Sequence, residues 1–287
     1  MTRAPAVLRR TGRGPTGGGP TGAAPRGRRG ARAGAVALVV AVCGGCASAA
    51  VSDAPPGAAP QGSDLEGTLV VLAAASLTDV LGDLADSFEA QHPRLRVETA
   101  FGSSATLATQ VVAGAPVDVL VTASTATMAT VTDAVGGEPV VVATNRLQLA
   151  VPAGNPAGVT SLDALADDDL TIALCAPQVP CGALTREVLE QAGVTAAPDT
   201  LERDVRAVLT RLRLDEADAG LVYRTDVLAS AGAVEGIDLP AAVDVATDHP
   251  ALALPGASDP DAAAAFVALL QSPDGRRAFA DAGFGTP

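Results

Sequence analysis

The chain has few of the residues that build basic surfaces and aromatic cores. Its 287 residues include no Lys, no Trp, one Tyr, five Phe and two His. Apolar residues nevertheless make up 48% of the chain, so a core of Ala, Val and Leu can form without aromatic side chains. The two His have no clustered Cys or carboxylate neighbours in the sequence, which argues against a metal-cation site.

The charge is divided unevenly along the chain. Eight of the 19 Arg precede residue 33, and no Asp or Glu precedes residue 53. The remainder therefore carries 11 Arg against 32 acidic residues. A body this acidic excludes nucleic acid as a partner, because nucleic-acid binding needs a basic surface. It also argues against adsorption to anionic lipid.

The N-terminal segment has the pattern of an export signal. Arg-rich sequence precedes an apolar run at residues 33–42, which is too short for the ~20 residues of a membrane span. Residues 1–46 are therefore predicted to be a signal peptide. The run ends in Cys-Gly-Gly-Cys46, which resembles a lipobox and predicts lipidation of Cys46; ordinary cleavage after Ala49 is the alternative. Residues 47–66 are rich in Ala, Pro and Gly and predict a flexible tether.

The body of the chain has the pattern of an α/β fold. Residues 68–75 form a continuous apolar run, and residues 95–101 alternate like a half-buried strand. Buried strands that alternate with helices predict a parallel sheet covered on both faces, in two lobes. Further strands are predicted at 116–123, 147–151, 170–174 and 219–223, and a first helix buries Leu77, Val80, Leu81, Leu84 and Phe88.

Serines stand where the first two predicted strands pass into helices. Ser76 has the position of a helix N-cap, with Asp79 three residues on in capping-box position. Ser103 and Ser104 begin the next helix. Each serine alone is typical of an ordinary cap. Because ligands of such sheets bind outside the carboxyl ends of the strands, two helix N-termini could also converge there on one anion.

The sequence resembles the substrate-binding proteins of molybdate ABC transporters. The resemblance rests on AAASLTDVL at 73–81 and FGSSATLATQVVAGAPVDVLVTAS at 101–124, and it continues through residues 67–287. It implies a type II periplasmic-binding-protein fold with an anion held between two lobes. The lobes are predicted as residues 67–144 with 250–287, and residues 145–249.

The resemblance also implies the residues that hold the anion. Ser76 and Ser104 would each give a hydroxyl and a backbone N–H, Cys181 and Val205 a backbone N–H, and Tyr223 its hydroxyl. The family commonly has Ala where this chain has Cys181. All of these groups are donors, which suits molybdate or tungstate because neither ion carries a proton at neutral pH. Sulfate and thiosulfate meet the same rule and remain the alternative cargo.

The cysteines can be accounted for without a free thiol. Cys43 would leave with the signal peptide and Cys46 would carry lipid. Cys175 and Cys181 then share one seven-residue loop, and in an oxidising compartment we expect them to form a disulfide. Two free thiols are the alternative.

Rival classes fit the sequence less well. A serine hydrolase needs a serine beside a histidine, but Gly-Ser-Ser-Ala-Thr is not the nucleophile-elbow pattern, and His92 and His249 each precede Pro, as in surface turns. A ferric-ion clamp would need several tyrosines. A transcriptional effector domain would need a DNA-binding module where the export signal stands. We therefore predict an exported, monomeric solute-binding protein without enzymatic activity or cofactor. It would deliver molybdate to an ABC permease and touch the membrane only through its lipid anchor.

Overall fold

The structure, a computed structural model, describes residues 65–287. The predicted signal peptide, Cys46 and almost all of the tether lie outside this range. No helix in the described part is both long and apolar enough to cross a bilayer. The strands are β1 (Glu66–Ala74), β2 (Arg94–Gly102), β3 (Val119–Val121), β4 (Val140–Pro152), β5 (Ile172–Cys175), β6 (Thr200–Glu202), β7 (Ala219–Tyr223), β8 (Val234–Ile237) and β9 (Ala246–Ala253). The α-helices are α1 (Thr78–Gln91), α2 (Ser104–Val112), α3 (Thr125–Val135), α4 (Pro180–Ala192), α5 (Val205–Arg213), α6 (Arg224–Ala229), α7 (Pro260–Gln271) and α8 (Pro273–Asp281).

The strands form two sheets that share β4. The hydrogen-bonded order is β2-β1-β3-β9-β4-β7-β5-β6, with β8 paired to β4. Sheet A runs from β2 to β4, and sheet B contains β4, β7, β5, β6 and β8. Residues 140–146 of β4 pair with β9, whereas residues 147–152 pair with β7 and β8. β4 therefore passes from one sheet to the other. The predicted lobe boundaries stay a prediction.

Both sheets are mixed, so the prediction of a parallel sheet was wrong in part. β1 is parallel to β2 and β3, and β5 is parallel to β6 and β7. β4 and β9, however, run antiparallel to every strand with which they pair. An apolar run indicates that a strand is buried, but it does not report the direction of the neighbouring strand.

The core is mainly aliphatic, with Phe88, Phe266, Phe279 and Phe284 also buried in it, and it lies on both faces of sheet A, as alternation along β1 requires. Leu69, Val71 and Ala73 pack on the face covered by α1, α7 and α8, while Leu72 faces α2 and α3. A second core surrounds sheet B. The predicted buried face of the first helix is confirmed at all of its positions: Leu77, Val80, Leu81, Leu84 and Phe88.

Candidate functional site

One small cavity brings together the residues that the resemblance implied. It has a volume of about 20 Å³, on a scale where a single water needs about 10–15 Å³. This size suits one small ion rather than a sugar or a peptide. Ser76, Ser104, Cys181, Val205 and Tyr223 all line it. Its other lining residues are Ala74, Ala75, Gly102, Ser103, Ala123, Val179, Pro180 and Asp204.

Ser76 reaches the cavity from a 3-10 turn rather than from a helix cap. The turn spans Ala75–Leu77, and α1 starts only at Thr78, with Leu77 as its N-cap residue. The predicted N-cap role of Ser76 was therefore wrong, because the extra turn moves the start of the helix. Ser76 is 3% exposed, and its Oγ lies 3.1 Å from Nε2 of His249.

Ser103 and Ser104 begin α2, as predicted, and both are buried. The Oγ of Ser104 accepts a hydrogen bond from the backbone N–H of Ala123, at 3.0 Å. Its own hydroxyl hydrogen is therefore free to be donated. Ser103 Oγ has no partner among the described residues. Ser103 thus adds a hydroxyl to the cavity, whereas the sequence predicted only that this residue begins a helix.

Two helix N-termini supply backbone donors. Val205 is the first residue of α5, and Cys181 follows Pro180 in the first turn of α4. N–H groups of a first turn have no partner inside their own helix, and Pro180 has no N–H at all. A disulfide joins Cys175, at the end of β5, to Cys181, with a Cα–Cα distance of 5.8 Å. The disulfide holds the first turn of α4, which carries the Cys181 N–H, next to the end of β5.

Gly182 allows α4 to begin this close to β5. A Cβ at this position would lie 1.9 Å from the carbonyl oxygen of Ala176. Any larger residue would therefore push away the turn that carries the Cys181 N–H.

Tyr223 closes the cavity from the end of β7. It is 1% exposed, and its hydroxyl has no hydrogen-bond partner in the part of the chain that the structure describes. Its backbone N–H donates to the carboxylate of Asp226 at 3.1 Å, which fixes the end of the strand. Burial raises the pKa of the Tyr223 phenol above its ordinary value, so the group remains a donor at neutral pH.

Asp204 is the one acidic residue among those that line the cavity. Its Oδ1 accepts from the Ala207 N–H at 2.9 Å, and its Oδ2 lies 3.4 Å from Nε of Arg203. The carboxylate therefore caps α5 and is paired with a cation. No His, Cys, Asp or Glu cluster of the kind that binds a cation occurs within residues 65–287.

His249 is buried, so its predicted place in a surface turn was wrong. It lies in β9 with 0% exposure beside Ser76, a pair that the sequence gave no sign of. Burial lowers the pKa of His249 to about 3, so the ring is neutral at pH 7 and a weak base. Its Nδ1 has no partner among the described residues, whereas the histidine of a Ser-His-Asp triad is oriented there by a carboxylate.

Arg206 links the two sides of the cavity. Its Nη2 lies 2.6 Å from Oδ2 of Asp79 on α1, which packs on sheet A, and its Nε lies 2.8 Å from Oδ1 of Asp226 on α6. Asp79 was predicted to complete a capping box, but it pairs with Arg206 instead. Burial raises the pKa of Asp226 to about 7, and the charge of Arg206 opposes that shift. The ion pair between Arg206 and Asp79 is partly exposed and contributes at most about 1 kcal/mol to stability. Its main effect is to hold α5 and α1 in position.

The fold agrees with the comparisons to known proteins. The pattern of the family "Bacterial extracellular solute-binding protein" matches residues 69–285, and the chain belongs to this family. The molybdate-binding protein ModA of Mycobacterium tuberculosis (strain ATCC 25618 / H37Rv) is 36% identical over 253 residues, which are 88% of this chain and 95% of that protein. The predicted family resemblance is confirmed.

Two solved structures show the fold. The periplasmic molybdate-binding protein of Azotobacter vinelandii superposes with a TM-score of 0.67 at 22% identity, over 76% of this chain and 99% of its own. The sulfate-binding protein SubI of Mycobacterium tuberculosis H37Rv gives a TM-score of 0.66 at 17% identity, over 76% and 86%. The predicted two-lobed periplasmic-binding-protein fold is confirmed. At these identities the structures do not distinguish between cargoes.

The buried histidine makes stability depend on pH. In the unfolded chain His249 takes up a proton near its ordinary pKa of about 6.5, whereas the folded protein resists protonation until about pH 3. The contribution of His249 to the free energy of unfolding should therefore fall as pH drops below 6.5, whereas Asp226, whose pKa is raised to about 7, acts in the opposite direction. By pH 5 one proton amounts to about 2 kcal/mol.

Urea unfolding of the wild type and of His249→Gln at pH 7 and pH 5 isolates this contribution, because Asp226 is common to both proteins. From pH 7 to pH 5, the free energy of unfolding should change less favourably in the wild type than in His249→Gln, by that amount. His92→Gln controls for the removal of a histidine. An equal change in the wild type and in His249→Gln would show that His249 does not titrate in this way.

Proposed function

We propose that this protein captures molybdate, and also tungstate, outside the cytoplasm and delivers it to the permease of an ABC transporter. The observation that carries the proposal is the Tyr223 hydroxyl, a buried donor that faces a small cavity and has no partner among the described residues. An unpaired buried polar group costs about 1–3 kcal/mol, and an oxyanion would remove that cost. The 36% identity to a molybdate-binding protein favours molybdate as the ion.

The cavity offers hydroxyl and N–H donors, and its one carboxylate is already engaged. Molybdate carries no proton at neutral pH and can only accept hydrogen bonds, so it matches such a site. Hydrogen phosphate has a proton to donate, but Asp204, the one carboxylate at the cavity, already binds Ala207 and Arg203. A site without an unpaired carboxylate therefore favours an unprotonated dianion.

The proposed ligands come from both sides of the cavity. Ser76, Ser104 and Tyr223 donate hydroxyls, and Cys181 and Val205 donate backbone N–H groups; Ser103 is added to the predicted set. The α4 and α5 N-termini bring positive dipole ends to the ion, so no Lys or Arg is needed at the cavity. The ion is cargo, and no cofactor takes part.

Sulfate or thiosulfate is the second candidate cargo. The fold match to a sulfate-binding protein supports it, since both ions meet the same donor rule. Cavity size separates these ions from molybdate, because sulfate is smaller and cannot reach donors on both sides at once.

The delivery step fits a two-lobed monomer. We propose that residues 67–144 with 250–287 form one lobe and residues 145–249 the other, and that they close on the ion by hinge motion. β4 contains the boundary between residues 144 and 145, and β9 contains the boundary between residues 249 and 250. The basic and apolar N-terminal pattern supports export, and Cys46 would hold the mature protein at the outer face of the membrane.

Calorimetric titration of the protein without residues 1–46 tests the cargo. Molybdate and tungstate should bind one ion per chain, and sulfate and phosphate far more weakly. Tyr223→Phe and Ser104→Ala should each weaken molybdate binding by roughly 10- to 150-fold, the equivalent of a hydrogen bond of about 1.5–3 kcal/mol to a charged group. Ser87→Ala removes a hydroxyl from the exposed face of α1 and should change nothing. Equal affinity for sulfate would refute the molybdate assignment.

Lipidation of Cys46 is tested separately by intact-mass analysis of the membrane-bound protein. We expect residues 1–45 to be missing and acyl chains to be attached to Cys46. An unmodified N-terminus at Ala50 would show that the segment is an ordinary cleaved signal peptide.

A further inference from the structure

At the cavity, the hydroxyl oxygens of Ser76 and Ser104 each lie within hydrogen-bond distance of a nitrogen atom of the protein. For Ser104 this nitrogen is the backbone N of Ala123, 3.0 Å from Oγ. The peptide of Ala123 is itself fixed, since its carbonyl oxygen accepts from Oγ1 of Thr247 at 2.8 Å. A backbone N–H can only donate, so the hydroxyl hydrogen of Ser104 is left for another acceptor.

For Ser76 the nitrogen is Nε2 of His249, 3.1 Å from Oγ. A neutral imidazole carries one proton, on either Nδ1 or Nε2. With the proton on Nε2, His249 donates to Ser76 and leaves the serine hydrogen free. With the proton on Nδ1, the serine must donate to His249, and its hydrogen is lost to any ligand. The tautomer of His249 thus decides what Ser76 offers to the cavity.

The surroundings of His249 favour one tautomer. The residue is 0% exposed, and its ring lies edge-to-face with Phe284 and Tyr223, at centroid distances of 5.5 Å and 6.1 Å. Its Nδ1 has no hydrogen-bond partner within the described part of the chain. A proton on Nδ1 would be a buried N–H without an acceptor. Buried N–H groups without a partner are rarer in proteins than buried acceptors with an unused lone pair.

We propose that His249 donates its Nε2–H to Ser76 Oγ and thereby directs the Ser76 hydroxyl hydrogen at the bound anion. His249 is then a positioning residue, which does for Ser76 what the Ala123 N–H does for Ser104. This inference rests on the proposed binding of molybdate at the cavity.

The arrangement has a consequence for specificity. A serine hydroxyl that is free to turn can either donate or accept, and so it can serve an oxyanion that carries a proton. A serine whose oxygen already accepts a hydrogen bond presents its hydrogen. With both serines held in this way, two fewer hydroxyls can accept the proton of hydrogen phosphate, which shifts the preference of the site toward an unprotonated dianion.

Nitrogen-15 NMR of the protein without residues 1–46 reports the tautomer of His249 directly. The chain has only two histidines, so His92→Gln assigns the remaining signal to His249. Without ligand and with molybdate, we expect a protonated Nε2 and a bare Nδ1 at neutral pH. A proton on Nδ1 in the molybdate complex would overturn the inference. This measurement needs no variant at position 249 to fold.

A double-mutant cycle tests whether His249 acts through Ser76. His249→Met replaces the imidazole by an apolar side chain of similar size that has no donor. This change should weaken molybdate binding about 3- to 10-fold, the equivalent of one hydrogen bond. His249→Gln can place an amide N–H near the position of Nε2 and should recover most of that loss. In a Ser76→Ala background, His249→Met should cause no further loss. The ratio of molybdate to phosphate affinity should also fall in His249→Met.

The outcomes separate this inference from the proposed function. If the wild type fails to bind molybdate, the proposed function fails, whereas the tautomer still reports on the Ser76 contact. If the wild type binds molybdate but His249→Met weakens binding equally with and without Ser76, His249 has a merely structural role and the inference is wrong.

Discussion

The rest of the site depends on one constraint, which is that the protein buries hydrogen-bond donors without a partner among the described residues. Tyr223 is almost fully buried, yet its hydroxyl has no partner among the described residues. Such a group is tolerated because several elements hold it against one small cavity. The contact with Asp226 fixes the end of β7, and the Cys175–Cys181 disulfide fixes the first turn of α4. The stability given up at the cavity is thus compensated by packing around it.

The acidic charge of the protein is compatible with the proposed anion site, because the carboxylates nearest the cavity are engaged by other groups of the protein. Asp204 lines the cavity but is used as a helix cap and paired with Arg203, and Asp226 lies against Arg206. What remains at the cavity are neutral hydroxyls and the N-termini of helices. These groups would attract the proposed anion through fixed dipoles, and the lack of an unpaired carboxylate disfavours a ligand that carries a proton.

The sequence predicted the parts of this arrangement that are local. Helical periodicity identified the buried face of α1, and the resemblance identified five residues that the structure brings to one cavity. It did not predict the antiparallel pairing of β4 and β9, because burial patterns carry no strand direction. Nor did it predict the contact between Ser76 and His249, which lie 173 residues apart. The residues around His249 gave only a His-Pro pair, and the short 3-10 turn at Ser76 has no distinctive sequence pattern.

Emission from the single tyrosine tests the central claim most directly, because the chain contains no tryptophan and Tyr223 is its only tyrosine. If the Tyr223 hydroxyl binds the anion, molybdate should change this emission saturably, with one equivalent per chain, and sulfate at the same concentration should leave it nearly unchanged. A flat titration with molybdate, under conditions where calorimetry shows binding, would place the ion elsewhere in the molecule and contradict the account.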